Sequence, residues 1–162
     1  MKIIITSDSH GRNSILDLIP YYHEDAQYFI FCGDLHGDPS YYEKWTMVEG
    51  NCDYFEDVPQ ALKIDLENGH KILVLHSHQA PGWPKEARKL QLKIWAKEEG
   101  CDIVCYGHTH VSDIDTIDDV LLINPGSLSR PRDGKECSYC VLTIDEDNQL
   151  HPELIFESDW TF

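Results

Sequence analysis

Residues 1–11 read MKIIITSDSHG, and residues 13–22, just beyond, read NSILDLIPYY. Lys2 to Thr6 is a short run of β-branched residues and reads as a buried strand. Across Asn13 to Tyr22, Ile15, Leu16, Leu18 and Ile19 recur at helical spacing. Together they form a β-α unit, with Asp8-Ser9-His10 in the connection between its halves. The start of the chain is therefore of the α/β class.

The same reading extends along the chain. Tyr28 to Cys32 is a second apolar run that ends at Gly33-Asp34, and Thr46 to Glu49 is a weaker one that ends at Gly50-Asn51. Ala61 to Leu66 and Lys71 to Leu75 flank Asn68-Gly69, which predicts a hairpin with a type I′ turn and positive φ at both central residues. The second of these strands runs into His76. Pro84 to Glu99 predicts a helix with Ala87, Leu90, Ile94 and Trp95 on its apolar stripe and Pro84 in its first turn. Asp102 to Tyr106 is strand-like and stops at Gly107; Val111 to Asp115, Val120 to Ile123, Glu136 to Ile144 and His151 to Phe156 follow in the same pattern. The first half alternates strand and helix, and the last third is mostly strand. With no linker, low-complexity tract or repeat, one domain over residues 1–162 is expected.

With 41% hydrophobic and 26% charged residues, the composition is that of an ordinary globular protein. A chain of 162 residues buries roughly two-thirds of its unfolded surface. Only three Ile precede the first polar residues, too few for a signal-peptide core or a membrane span, so a cytoplasmic location is expected. Most of the six cysteines, Cys32, Cys52, Cys101, Cys105, Cys137 and Cys140, lie in or beside apolar runs, which favours reduced thiols acting as small hydrophobes. The formal charge of −16 argues against extended DNA or RNA as a partner. It leaves room for a small phosphate ester, because two divalent cations would add about four positive charges locally.

The chemistry lies where strands run out. Asp8-Ser-His10, Gly33-Asp34, Gly50-Asn51, His76-Ser-His78 and Gly107-His108-Thr-His110 each follow an apolar run and carry metal-ligand residue types. Ligands in open α/β sheets bind outside the carboxyl ends of strands, so these five ends can converge. In extended backbone, residues i and i+2 point to one side, which predicts that Asp8 with His10, and His108 with His110, face a common centre. Mixed imidazole and carboxylate donors suit Mn²⁺, Fe²⁺, Ni²⁺ or Zn²⁺ better than Ca²⁺. Taken singly, Asp-x-His occurs by chance and Gly-Asp after a strand is usually only a turn. The five in order are far more specific.

That ordered set resembles the calcineurin-like metallophosphoesterases and, within them, the small bacterial and archaeal phosphodiesterase branch. The resemblance runs over nearly the whole chain and includes Gly50-Asn51-Cys52-Asp53 and Asn124-Pro125-Gly126-Ser127. It implies two mixed β-sheets stacked face to face with helices outside, a four-layer α-β-β-α sandwich. It also implies two divalent cations, with Mn²⁺ the leading candidate. Asp8, His10, Asp34 and His110 would hold one, and Asp34, Asn51, His76 and His108 the other. The activity implied is hydrolysis of a small phosphate ester, a diester ahead of a monoester, by a water or hydroxide bridging the cations. A non-catalytic protein-interaction scaffold on the same fold is the alternative. Two positions depart from the family pattern. Cys52 stands where many members carry a His credited as general acid, leaving the proton donor open, and Ser77 stands where the branch usually has Gly. His78, beside Ser77, becomes a candidate for contact with substrate phosphate or for proton donation, and His36 is similarly placed.

Cys137-Ser-Tyr-Cys140 has CxxC spacing, but on a strand the two sulfurs face opposite sides and cannot chelate one ion. Arg12, Arg130 and Arg132 are candidates either for phosphate contact or for exposed loop positions. His23, His70 and His151 read as surface residues. Trp83, Trp95, Trp160 and Phe162 are expected to fill the core or a contact between copies in a homo-oligomer.

Overall fold

The alternation of side chains along β1 (Lys2–Thr6) sets the layering. In the computed structural model, which describes residues 1–161, Ile3 and Ile5 enter an apolar layer shared between two sheets. Ile4 faces the other way, onto Ile15, Leu16 and Ile19 of α1 (Ser14–Tyr22). The second sheet repeats the device. Ile72 and Val74 of β5 (Lys71–Leu75) point between the sheets, while Leu73 and Leu75 pack under Leu92 and Ala96 of α2 (Lys85–Glu98). The layers therefore run α1, sheet, sheet, α2.

In the first sheet β1 pairs in parallel with β2 (Tyr28–Phe31), which pairs in parallel with β3 (Thr46–Met47). The other edge of β1 takes β9 (Ser138–Ile144) antiparallel, and β10 (Leu150–Phe156) continues that hairpin. The second sheet contains β4 (Ala61–Asp65), β6 (Ile103–Tyr106), β7 (Asp113–Ile117) and β8 (Val120–Asn124) as well as β5. Their order is β4-β5-β6-β8-β7, with β5, β6 and β8 parallel and both edge strands antiparallel. Two stacked mixed five-stranded sheets flanked by helices are the architecture expected above. The parallel strands β1, β2, β5 and β6 end at the loops that carry Asp8, Asp34, His76 and His108.

Pro20 lies inside α1 and cannot donate to the Leu16 carbonyl; the indole Nε1 of buried Trp45 does so instead, at 2.9 Å. That contact anchors the loop before β3 to α1. Cys32, Cys105 and Cys140 are buried between the sheets, and Cys101 and Cys137 are buried elsewhere. Cys137 precedes β9 and lies by Arg12, so the CxxC pair is divided between different surroundings.

Several local expectations are corrected. The β4–β5 connection is not type I′, because Gly69 has positive φ (94°) and Asn68 does not. Leu66 N–H donates to His70 C=O and Gly69 N–H to Leu66 C=O, the pattern of a three-residue loop with a glycine bulge. The α2 stripe is shifted: Leu90 and Ile94 are exposed, and the helix buries Arg88, Lys89, Leu92 and Ala96. Pro84 caps this helix from outside rather than forming its first turn, and Leu18 of α1 is exposed. The strand expected at Val111 to Asp115 starts at Asp113. Trp83 is 86% exposed, Trp95 and Trp160 pack at the edges of apolar clusters, and Phe162 lies outside the described residues. His23 and His70 are half-buried with partners, Tyr139 Oη at 2.9 Å and Asp102 Oδ2 at 2.5 Å, while His151 is exposed beside Asp145.

Candidate metal centre

The loops after β1, β2, β5 and β6 meet at one end of the sandwich, and glycine lets them approach. A Cβ on Gly50 would lie 2.1 Å from Asp34 Oδ1, and one on Gly107 would lie 2.0 Å from Ser7 Oγ and 2.8 Å from Asp8 Oδ2. The predicted side chains converge here, but not through extended backbone. Asp8, His10, Asp34, His36, Ser77, His108 and His110 all have φ between 44° and 80°. Among the described residues only Asp118 and Asn148 share that conformation without being glycine. Asp and His tolerate the left-handed region better than most residues, and such backbone persists where its surroundings enforce it.

Asp8 is fully buried. Its Oδ2 accepts from Ser7 Oγ (2.6 Å) and from the His108 N–H (3.1 Å), whereas its Oδ1 has no hydrogen-bond partner. Around that orphan oxygen stand the Nε2 atoms of His110 at 3.2 Å, His10 at 3.8 Å and His76 at 4.0 Å. Asp34 Oδ1 accepts from Cys52 N–H at 2.8 Å, and its Oδ2 lies 3.6 Å from His10 Nε2 and 3.4 Å from His76 Nε2. Donor atoms of Asp8, His10, Asp34 and His110 fall within 4.8 Å of one another.

The outer ring nitrogens are tied down. His76 Nδ1 donates to Cys32 C=O (2.8 Å) and His110 Nδ1 to Arg130 C=O (2.7 Å), which leaves each Nε2 lone pair facing inward. His10 Nδ1 meets His36 Nε2 at 3.2 Å, and its Nε2 faces His110 Nε2 at 3.1 Å. Two inward lone pairs at that separation beside an unpartnered carboxylate oxygen fit a cation's donor set. Electrostatics agree. Burial works against charging His76, yet Asp34 and Asp8 together outweigh it and raise its pKa, so the field there favours positive charge. Burial lowers His10, with Asp34 and Asp8 opposing, and pushes His108 down to about 4 with help from His76 and Arg88. Burial also opposes ionisation of Asp34, but bonds and charge from His76, and the Cys52 N–H, bring its pKa below the ordinary carboxylate range.

Asn51 and His108 stand beside His76. Asn51 Oδ1 is 3.1 Å from His76 Nε2, and the His108 ring centroid is 5.1 Å from that of His76. His78 is half-buried, its ring 5.7 Å from His76 and 6.2 Å from His108, and its Nδ1 is buried without a partner. Cys52 is exposed next to Asn51, and His36 is exposed beside His10. Arg12 is tied to Leu128 C=O and Glu157, and Arg130 and Arg132 reach His110 through their backbones, with exposed side chains.

Three supports escaped the sequence reading. Asp53 is buried, and its carboxylate accepts from the backbone N–H groups of Asp34, Leu35, His36 and Gly50. Ser127 Oγ donates to Asp8 C=O and accepts from Ser129 and Arg130 N–H, while Asn124 Nδ2 donates to Gly107 C=O and to Thr109 Oγ1. Arg88 binds Ser77. The Asn-Pro-Gly-Ser run, part of the resemblance above, was a visible signal for the second of these.

A family model described as the calcineurin-like phosphoesterase superfamily domain matches residues 1–147. A Bacillus subtilis protein described as probable metallophosphoesterase YsnB is 34% identical over 152 residues, covering 91% of this chain and 86% of its own length. Phosphodiesterase YfcE of Escherichia coli K12 is 27% identical over 178 residues, covering 90% of this chain and 89% of its own. A solved structure from Streptococcus pneumoniae TIGR4, described as a predicted phosphoesterase, superposes with a TM-score of 0.81 at 28% identity, covering 96% of this chain and 97% of the other.

Proposed function

Because the chain belongs to the calcineurin-like phosphoesterase superfamily, we propose that it hydrolyses a small phosphate diester at a centre of two divalent cations, Mn²⁺ first and Fe, Ni or Zn as alternatives. The observation that carries the proposal is the unpartnered Asp8 Oδ1 ringed by three inward-facing imidazole nitrogens. Asp8, His10, Asp34 and His110 would hold one cation, and Asp34, Asn51, His76 and His108 the other. Asp34 Oδ2, between His10 and His76, supports its place in both sets. When bound, such cations act as Lewis acids on phosphoryl oxygen and lower the pKa of water from ~15.7 to about 7.

The chain's own groups do the rest. Cys32 and Arg130 carbonyls orient His76 and His110, so these ligands need no rearrangement when charge develops. The Asn51 amide, beside His76, would donate to a phosphoryl oxygen, and the unpartnered His78 Nδ1, though buried, lies close to the same ligands. Burial and Asp34 raise the Cys52 thiol, and burial with His76 lowers His78, so the assignment of proton donation to His78 rests on its place beside His76 and His108. The diester preference rests on the phosphodiesterase name of one relative and on the branch resemblance. Small esters suit a chain of charge −16 better than polymers do. Among the described residues no helix is long and apolar enough to cross a membrane, and six unpaired cysteines favour a reducing, cytoplasmic location.

Metal analysis of the purified protein, together with turnover of aryl phosphodiesters and monoesters on adding Mn²⁺, tests this reading. Two equivalents bound and faster diester turnover are expected. Tight binding with no turnover of any ester would return the chain to the scaffold alternative. Asp34→Ala is expected to abolish turnover and lose both cations while the circular dichroism spectrum is kept; retention of both metals and of the normal rate would overturn the ligand assignment.

A further inference from the structure

Of the seven site residues with positive φ that are not glycine, Ser77 alone is neither Asp nor His. It lies between His76 and His78, so any drift at Ser77 moves both imidazoles. Its support comes from α2. Arg88, 6% exposed, donates from Nη1 to the Ser77 carbonyl and to Ser77 Oγ (2.9 Å). Ser77 Oγ in turn donates to Gly107 C=O at 3.3 Å, the same oxygen that accepts from Asn124 Nδ2. One line of hydrogen bonds therefore joins α2, the His76–His78 loop, the Gly107–His110 loop and the end of β8.

Among the described residues Arg88 has no carboxylate partner, although burial disfavours its charge. A buried guanidinium without a counter-ion is expensive, and packing alone would be served as well by an apolar side chain. We propose that Arg88 is a positioning residue for the hydrolytic centre and that it acts through Ser77, the two forming one clamp that fixes the His76–His78 loop against the Gly107–His110 loop. This rests on the reading in the preceding subsection. The clamp also accounts for a side chain at position 77: its Cβ makes the left-handed backbone less favourable than with glycine, and its hydroxyl carries the link to Gly107.

The experiment is a double-mutant cycle of Arg88→Met and Ser77→Gly, read as kcat and KM on an aryl phosphodiester with Mn²⁺, metal stoichiometry, and the absorption spectrum of the Co²⁺-substituted protein. Arg88→Met is expected to lower kcat by about 10- to 100-fold, the scale of a small misplacement of reacting groups, with KM little changed and both metals bound. Arg88→Lys, which keeps one donor, should recover part of that loss. In the Ser77→Gly background the Arg88→Met loss should shrink, because glycine holds positive φ without help. Equal losses in the two backgrounds, or a raised KM with unchanged kcat, would overturn the clamp, the latter by showing that Arg88 touches substrate. If Arg88→Met does not fold, Ser77→Ala keeps the carbonyl bond and removes only the Oγ links; an unchanged kcat there defeats the proposal. The Co²⁺ spectrum reports ligand geometry without turnover. A wild-type protein that turns over no ester while Arg88→Met still shifts that spectrum would count against the hydrolase reading and leave the clamp standing.

Discussion

At the scale of single residues, the centre is held by groups that never face a ligand. Asp53 gathers four backbone N–H groups from two loops into one carboxylate, so it fixes the separation between Asp34 and Gly50. Asp53→Asn places an amide donor against those donors. The expected cost is about 1–3 kcal/mol of stability, the usual range for a buried polar group left unsatisfied, with weaker Mn²⁺ binding alongside. Urea unfolding with and without Mn²⁺ measures both, and a variant as stable as the parent would show the loops to be held by other contacts. The ligand-type residues were legible in the sequence because Asp, Asn and His at the ends of apolar runs have few other reasons to be there. Asp53 was not, although it stood in Gly-Asn-Cys-Asp, since a clamp is defined by its partners and three of its four lie 17–19 residues away. Nor was the left-handed backbone at Asp8, His10, His108 and His110, which tertiary contacts impose on residues that would as readily be extended.

At the scale of elements, α2 shows what apolar periodicity misses. Counting Leu, Ile and Trp placed the buried stripe on Leu90 and Ile94. The helix instead docks on Leu92, Ala96 and the aliphatic stems of Arg88 and Lys89, whose charged ends reach partners. Lys85, Lys89, Lys93 and Lys97, four residues apart, meet Asp113, Asp115, Asp118 and Asp119 on β7 and its turn. These pairs differ in worth. Lys89 is buried and serves both Asp113 and Asp115, so Lys89→Met should cost about 1–3 kcal/mol by leaving Oδ2 of the half-buried Asp113 without its cation, Lys85 holding only Oδ1. The pair of Lys93 with exposed Asp118 is screened, and Lys93→Met should change stability by no more than about 0.5 kcal/mol. Chemical denaturation of the two variants in low and high salt decides it; equal losses would mean that the ladder acts as a single network. Helix and strand positions were otherwise legible to within a few residues, because β-branched runs and Gly stops mark them. The β4–β5 turn departs from the type I′ expectation because Asn68-Gly69 is only part of the loop, which Leu66 and His70 close.

At the scale of the molecule, the layering follows from strands apolar on both faces, and the first β-α unit was enough to announce it. Which face of β1 meets the second sheet was not legible, since Ile3, Ile4 and Ile5 are equally apolar. The whole chain also carries the cost of its centre in buried carboxylates, inward lone pairs and seven left-handed residues, and the proposed cations would offset the first two. Mn²⁺ at 100 times its dissociation constant should therefore add about 2.7 kcal/mol per site that binds only the folded chain. Thermal unfolding before and after chelation measures this, and an unchanged midpoint would mean that the centre is no sink for metal-binding energy. The strand order has a further consequence, for synthesis. β1 is paired on one side once β2 has been made, but its other neighbour, β9, is translated more than a hundred residues later. At 5–20 residues per second the nascent chain presents an open, apolar strand edge for roughly 5–20 s. During that interval the edge is a template for non-native pairing, and the centre cannot close until His108 and His110 have emerged.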